Sequence, residues 1–256
     1  MTRRLLATSL FAALLLAACS EAAGPARHHL PVDGGGLPTA GPAGVYVALG
    51  ASETIGIGAA HPNVEAWPQV FYRTTLPRAT VFYDLGIPAE TVAQAIDHEL
   101  PIALSLRPSL ATVWFNFDDL VAGVSAADYE QQLGNLLHQL RAGGHTRVLV
   151  ANTPVLDRLP AYAACGSAPP PGSPRCPLPG QVLPAAPELD RLVDAYNAAI
   201  TRVAAREGAT LVDLHTQGEV PLAHPEFISA DGFHPSTAGH AAIAAAFTTA
   251  YQTPPP

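Results

Sequence analysis

The sequence predicts an α/β protein, a three-layer α/β/α sandwich around a central parallel sheet of about five strands, and three observations carry that prediction. Short apolar runs with little polar alternation recur along the chain, as expected of strands covered on both faces of a parallel sheet. Amphipathic helical stripes lie between them, so strand and helix alternate. The length, 256 residues, suits one such domain with appendages better than two ordinary domains.

Taken in order, Val45 to Leu49 is an apolar run that ends in Gly50, and Ala79 to Leu85 ends in Gly86; both read as buried strands. Leu110 to Phe115, Thr146 to Ala151 and Ala209 to Leu214 repeat the pattern. Ser125 can cap a helix with Asp128 at its third position, and Tyr129, Leu133, Leu136, Leu137 and Leu140 share one face before Gly143-Gly144 stops it. A second stripe, Leu189, Leu192, Val193, Tyr196, Ile200 and Val203, ends at Gly208, and Ile243, Phe247 and Tyr251 mark a C-terminal one. From Thr153 to Pro187 the rhythm breaks. Ten prolines in these 35 residues make a long insertion, read either as a wall over the edge where ligands bind or as a surface loop.

Composition removes several classes. With 13 basic against 21 acidic residues, a net charge of −8, the cations are too few and too scattered for a nucleic-acid surface. The chain has no uninterrupted apolar run of about 18 residues, which excludes a polytopic membrane protein.

The N-terminus reads as an address. Arg3 and Arg4 precede the apolar stretch Leu5 to Ala18, which is too short to span a bilayer and has the form of a secretory signal over residues 1–18. Leu16-Ala17-Ala18-Cys19 resembles a bacterial lipobox, so Cys19 is expected to be lipidated and to anchor an exported protein on the extracytoplasmic side. Residues 20–43 hold nine Gly or Pro among 24 and read as a flexible tether to a domain over 44–256. His28-His29 in that tether lack the further ligands a metal site needs. Cys165 and Cys176, 11 apart in an exported chain, are expected to form a disulfide. No metal and no cofactor is predicted.

In open parallel sheets ligands bind outside the carboxyl ends of the strands. The first strand is followed there by Gly50-Ala51-Ser52-Glu53, where a serine among small residues can be held exposed on a tight turn as a nucleophile. Near the C-terminus Asp231-Gly232-Phe233-His234-Pro235 places a carboxylate three residues before a histidine. That spacing lets the acid hold one ring nitrogen while the other faces Ser52.

These blocks resemble the GDSL/SGNH hydrolase family over about Val45 to Tyr251. The family's Gly-Asp-Ser stands as Gly50-Ala51-Ser52, its second-block glycine falls in Asp84-Leu85-Gly86-Ile87-Pro88, and its Asp-x-x-His-Pro is intact as Asp231 to Pro235. The resemblance implies a flavodoxin-like fold, with Ser52 as nucleophile, His234 as base and Asp231 orienting it. It also implies an oxyanion hole of the Ser52 and Gly86 N–H groups and an asparagine side chain after the third strand. The third block departs from the pattern: Trp114-Phe115-Asn116-Phe117-Asp118-Asp119 puts Asn116 on the glycine position and Asp118 on the asparagine position. Losing one such donor costs about 2.7 to 4 kcal/mol. Three outcomes are open: a protonated Asp118 that donates, Asn116 reaching in through a bulge across roughly 6.6 Å of strand, or a slow enzyme.

Asp84, Asp119, His215 and Glu219 stand after strands, where polar residues are common, and His61, His98, His138, His145 and His240 fall where no metal set gathers; none receives a role. Asp118 and Asp119, read as strand neighbours, would point to opposite faces and could not flank a glycosidic bond. Two functions follow. One is a serine esterase acting on small acyl esters or thioesters, lysophospholipid or acetylated glycan; the other is a catalytically impaired surface lipoprotein that binds acyl or carbohydrate ligands in the same cleft.

Overall fold

The computed structural model describes residues 44–166, 169–173, 175–176, 183–216 and 224–254, all within one compact unit, Ala40–Pro256. The leader, His28, His29, Cys19 and Glu219 lie outside the described residues. Five parallel strands are ordered β2-β1-β3-β4-β5: β1 Val45–Gly50, β2 Val81–Asp84, β3 Leu110–Trp114, β4 Arg147–Ala151 and β5 Thr210–Val212. The helices are α1 Pro62–Glu65, α2 Trp67–Thr75, α3 Val92–Leu106, α4 Phe117–Val121, α5 Ala126–Arg141, α6 Pro160–Ala164, α7 Ala186–Glu207 and α8 Thr237–Gln252. This is the doubly wound arrangement the sequence predicts, and its strand order reverses between β1 and β3. Ligands are expected above that point.

Alternation along the strands builds two cores. Val47, Leu49 and Val113 face α3, α5 and α7, where Tyr129 stacks on Tyr196 with ring centroids 4.4 Å apart. Tyr46 and Ala48 face the other way, toward α2 and α8, where Trp67 stacks on Phe247 at 4.0 Å. Full burial of each such side chain contributes roughly 1.5 to 3 kcal/mol. The caps read from sequence are in place: the Ser125 side chain accepts from Asp128 N–H, and Gly208 ends α7 in the left-handed conformation.

One strand corrects the sequence reading. β2 is not buried; Val81 and Tyr83 are 45% and 40% exposed. Its apolar residues sit on the outer edge of the sheet, paired to β1 alone, where one face and one flank remain open. Helix α3 is an addition, started by a reciprocal cap in which Thr91 accepts from Gln94 N–H and Gln94 accepts from Thr91 N–H.

Within the Pro-rich insertion, Leu156 and Leu159 pack inward, α6 forms one short helix, and Cys165 is joined to Cys176. Closing so short a loop is worth at most about 3 kcal/mol. Replacing both cysteines by serine is expected to lower unfolding stability by up to that amount, seen as a shift in the urea midpoint that reductant reproduces in the wild type and not in the variant.

Candidate active site

β1 delivers the chain to Gly50, where a side chain would collide with Thr54 Oγ1 and the Trp114 carbonyl. Only glycine fits. The next residues wind into a tight turn closed by Thr54 N–H to Ala51 O at 3.1 Å and Ile57 N–H to Ser52 O at 3.0 Å. Ser52 sits at its head, 9% exposed, directly after the strand at which the order reverses.

His234 arrives from the far end of the chain. The segment before α8 is folded back by Ser229 N–H to His234 O at 2.9 Å and by Ser236 N–H to Phe227 O at 2.8 Å. Asp231 Oδ1 accepts from the N–H groups of Phe233 and His234 at 2.8 and 2.9 Å and from Ser229 Oγ at 2.7 Å. Its Oδ2 lies 2.6 Å from His234 Nδ1. Burial alone would raise the Asp231 pKa, but the His234 ring, the two N–H groups and Ser229 outweigh it and hold the carboxyl below its ordinary range. Ionised Asp231 accepts a hydrogen bond from Nδ1–H and so keeps that proton on Nδ1, which leaves Nε2 as an acceptor 3.2 Å from Ser52 Oγ. Ser52, His234 and Asp231, which lie 182 residues apart at the extremes of the set, are thus brought together.

A competing acceptor was not anticipated. Glu53 Oε2 also lies 3.2 Å from Ser52 Oγ, and a hydroxyl has a single proton to donate.

A cavity of about 150 Å³ opens beside the serine. Ala51 and Glu53 on either side of Ser52, and Phe233 and Pro235 on either side of His234, form its rim, while Trp114, Phe117, Leu156, Leu159 and Ile243 make an apolar interior. The N-terminal part of the Pro-rich insertion is therefore a wall of the site.

The third block differs from its strand reading. β3 ends at Trp114, and Asp118 and Asp119 occupy the first turn of α4. They diverge by helix geometry rather than by strand alternation. Asp119 is fully buried and accepts Val92 N–H at 3.1 and 3.2 Å, capping α3. Asp118 lines the cavity instead, and burial first, then the charges of Glu53 and Asp119, pushes its pKa to about 7. Asn116 also borders the cavity, but its amide nitrogen is sealed from solvent with no acceptor.

Gly86 packs against Thr54 and Ile55 of the serine turn. Its N–H donates to Asp84 Oδ1 at 3.1 Å, so it can face a reacting oxygen only when that bond is released. Asp84 itself is pushed up to about 6, by burial against the opposing Gly86 bond.

The remaining residues raised by sequence lie elsewhere. His215 holds the Thr153 carbonyl at 3.0 Å, and buried His240 accepts from Trp67 N–H and donates to the Ile57 carbonyl. His98 pairs with Glu90 and His138 with Glu207. Among the described residues no three His, Cys, Asp or Glu side chains gather as metal ligands.

A family model described as the GDSL-like lipase/acylhydrolase family matches residues 48–242. No curated protein matches the chain. Solved structures of the same fold include TesA, 16% identical with a TM-score of 0.61 over 81% of this chain and 98% of that one. A lipase/acylhydrolase from Enterococcus faecalis is 16% identical, with a TM-score of 0.60 over 83% and 98%. A family 3 carbohydrate esterase from Clostridium thermocellum is 17% identical, with a TM-score of 0.56 over 81% and 94%. At these identities the fold is what is shared.

Proposed function

Because the chain belongs to the GDSL-like lipase/acylhydrolase family, we propose that it is a serine esterase that cleaves carboxylic esters through an acyl-enzyme. The observation that carries this reading is the unbroken line from Ser52 Oγ through His234 to Asp231 at the rim of an apolar cavity.

Ser52 Oγ attacks the ester carbonyl carbon as its proton passes to His234 Nε2, and Asp231 stabilises the imidazolium so formed. The tetrahedral intermediate collapses, the alcohol leaves with the proton from His234, and the acyl group stays on Ser52. Water, activated by the same nitrogen, attacks the acyl carbon and releases the acid. The developing oxyanion is held by the Ser52 N–H, by Gly86 N–H once freed from Asp84, and by Asp118 while it carries a proton.

Cavity size and lining name the acyl side. A largely apolar space of this volume accommodates a benzene-sized group, roughly four to eight carbons of acyl chain. Hydrolysis of p-nitrophenyl esters is expected to peak between butyryl and octanoyl, and Ile243→Trp, which fills the interior, is expected to move the optimum to acetyl with a tenfold or greater loss on the longer esters. A wild-type optimum at acetyl, unchanged in Ile243→Trp, would remove the cavity from the reading. The acetylated-glycan substrate then regains ground, in keeping with the carbohydrate esterase among the similar folds.

The lipobox-like Leu16-Ala17-Ala18-Cys19 supports export and acylation at Cys19, with residues 20–43 as the tether that leaves the site free to meet esters at the membrane surface. Mass spectrometry of the mature N-terminus tests that part alone.

The second reading, an impaired lipoprotein that binds acyl or carbohydrate ligands, is favoured by Asp118, a carboxyl where the family places an amide donor. A fluorophosphonate probe separates the two. The esterase is labelled on the peptide that contains Ser52; the binding protein is not.

A further inference from the structure

Beneath the serine turn lies a pair of acids that the proposed chemistry does not use. Glu99 on α3 and Glu90 just ahead of α3 are 1% and 4% exposed. Glu99 Oε2 accepts the Gly50 N–H at 3.0 Å, Glu99 is also hydrogen-bonded to Glu90, and Glu90 is bonded in turn to His98. Glu99 Oε1 and Glu90 Oε2 are buried without any ordinary donor. Two carboxylates share a hydrogen bond only when one is protonated. Burial, then the bond to Glu90, pushes Glu99 up to about 10 against the pull of Gly50 N–H, with the charges of Glu90 and Asp84 adding to the rise. A Glu99 carboxyl that keeps its proton can donate to Glu90 while its Oε2 accepts from Gly50.

Gly50 is the last residue of β1, two before Ser52. The β1–β2 register ends at Ala48 and Asp84, and beyond it Leu85 N–H bonds Ala48 O at 2.9 Å and Ile87 N–H bonds Gly50 O at 3.0 Å. A parallel ladder would pair the Gly50 N–H with the β2-side carbonyl between those two donors. It goes to Glu99 instead.

We infer that Glu99, backed by Glu90, is a positioning residue for Ser52, standing in for a missing sheet partner at Gly50 and fixing the turn that presents the serine to His234. The inference rests on the serine-nucleophile reading. A neutral carboxyl suits the task because it accepts from Gly50 and donates to Glu90 at once. Glutamine offers the same pair of groups, and leucine offers neither.

The test compares Glu99→Gln and Glu99→Leu in the full chain by p-nitrophenyl butyrate kinetics, circular dichroism and amide hydrogen exchange over the peptide containing Gly50. Glu99→Gln is expected to keep kcat within about threefold of wild type and to keep the Gly50 amide protected. Glu99→Leu is expected to lower kcat roughly 10- to 100-fold, the scale of a small misplacement of reacting groups, with KM within about twofold and faster exchange at Gly50. A folded Glu99→Leu protein with wild-type kcat overturns the inference. So does a Glu99→Gln protein that loses as much as the leucine variant, since a neutral donor-acceptor would then not suffice. If Glu99→Leu does not fold, the wild-type and glutamine proteins still decide: a Gly50 amide that exchanges in either at the rate of an exposed loop means that the bond is absent. Hydrogen exchange needs no turnover, so an inactive wild type with a protected Gly50 amide would count against the esterase reading and not against the Gly50–Glu99 contact.

Discussion

Ser52→Ala is expected to lower kcat for ester hydrolysis by roughly 10⁴- to 10⁶-fold, with KM within about twofold and fluorophosphonate labelling abolished. The size follows from what the hydroxyl does: it forms the bond to carbon, and no other group described at the rim has a nucleophilic oxygen held 3.2 Å from a histidine oriented by an acid. Stability should barely change, because the Ser52 side chain bonds only its two neighbours in the site, His234 and Glu53. Thermal melting therefore serves as the control. His234→Ala should cost a similar factor, and the double variant little more than either single one, because the two residues act on one proton. Ester hydrolysis surviving in Ser52→Ala at more than about a tenth of the wild-type rate would transfer the chemistry to a water molecule or another residue.

The expectation is legible in sequence because its determinants are local. Gly50-Ala51-Ser52 follows an apolar run, and Asp231 precedes His234 by one turn of chain, so a spacing argument reaches the geometry without knowing the path between. The helices α5 and α7 were legible for a similar reason: an apolar stripe and a terminal glycine coincide in each, and α5 has a capping serine besides. What sequence missed is non-local. The exposure of β2 depends on its being the edge of the sheet, which apolar composition does not encode. Asp118 looked like a strand residue because the family block is read by alignment, whereas the chain turns into α4 one residue after Asn116. Glu99 gave only the weak signal of a charged residue on the buried face of a helix whose cap, Thr91 with Gln94, was itself a readable start. The competitor Glu53 stood next to the serine in plain view, but whether a neighbour on a tight turn points at the nucleophile is settled by backbone direction alone.

Asp118→Asn is expected to change how activity depends on pH. Asp118 has a pKa of about 7 in the folded protein, raised by burial and then by Glu53 and Asp119. Below that pH it carries a proton and can donate to the oxyanion; above it the carboxylate repels the same oxygen. Wild-type kcat/KM should therefore fall about tenfold for each unit above pH 7, once the protonated fraction becomes limiting. Asparagine presents an N–H donor at every pH, so the variant should match the wild type within a few-fold near pH 6 and exceed it by up to about 100-fold near pH 9, where roughly 1% of Asp118 remains protonated. Linkage gives stability the same sign. The folded state holds on to a proton that the unfolded chain has lost, so the contribution is complete below the unfolded value of 3.8 and is lost as the pH rises through about 7. The variant, with no charge to bury, should gain its relative stability on the alkaline side. The kinetic and stability readouts separate the mechanisms. A variant more stable at high pH but no faster would mean that Asp118 is buried at the rim without touching the reacting oxygen. A variant slower at every pH would mean that the carboxyl does work an amide cannot, and the reading of Asp118 as an oxyanion donor would be abandoned. Activity that appears in Asp118→Asn and is absent from the wild type at pH 6 as well as pH 9 would favour the binding-protein reading: the triad would be assembled and the hole disabled, with the cleft retained for ligands that are held and not cleaved.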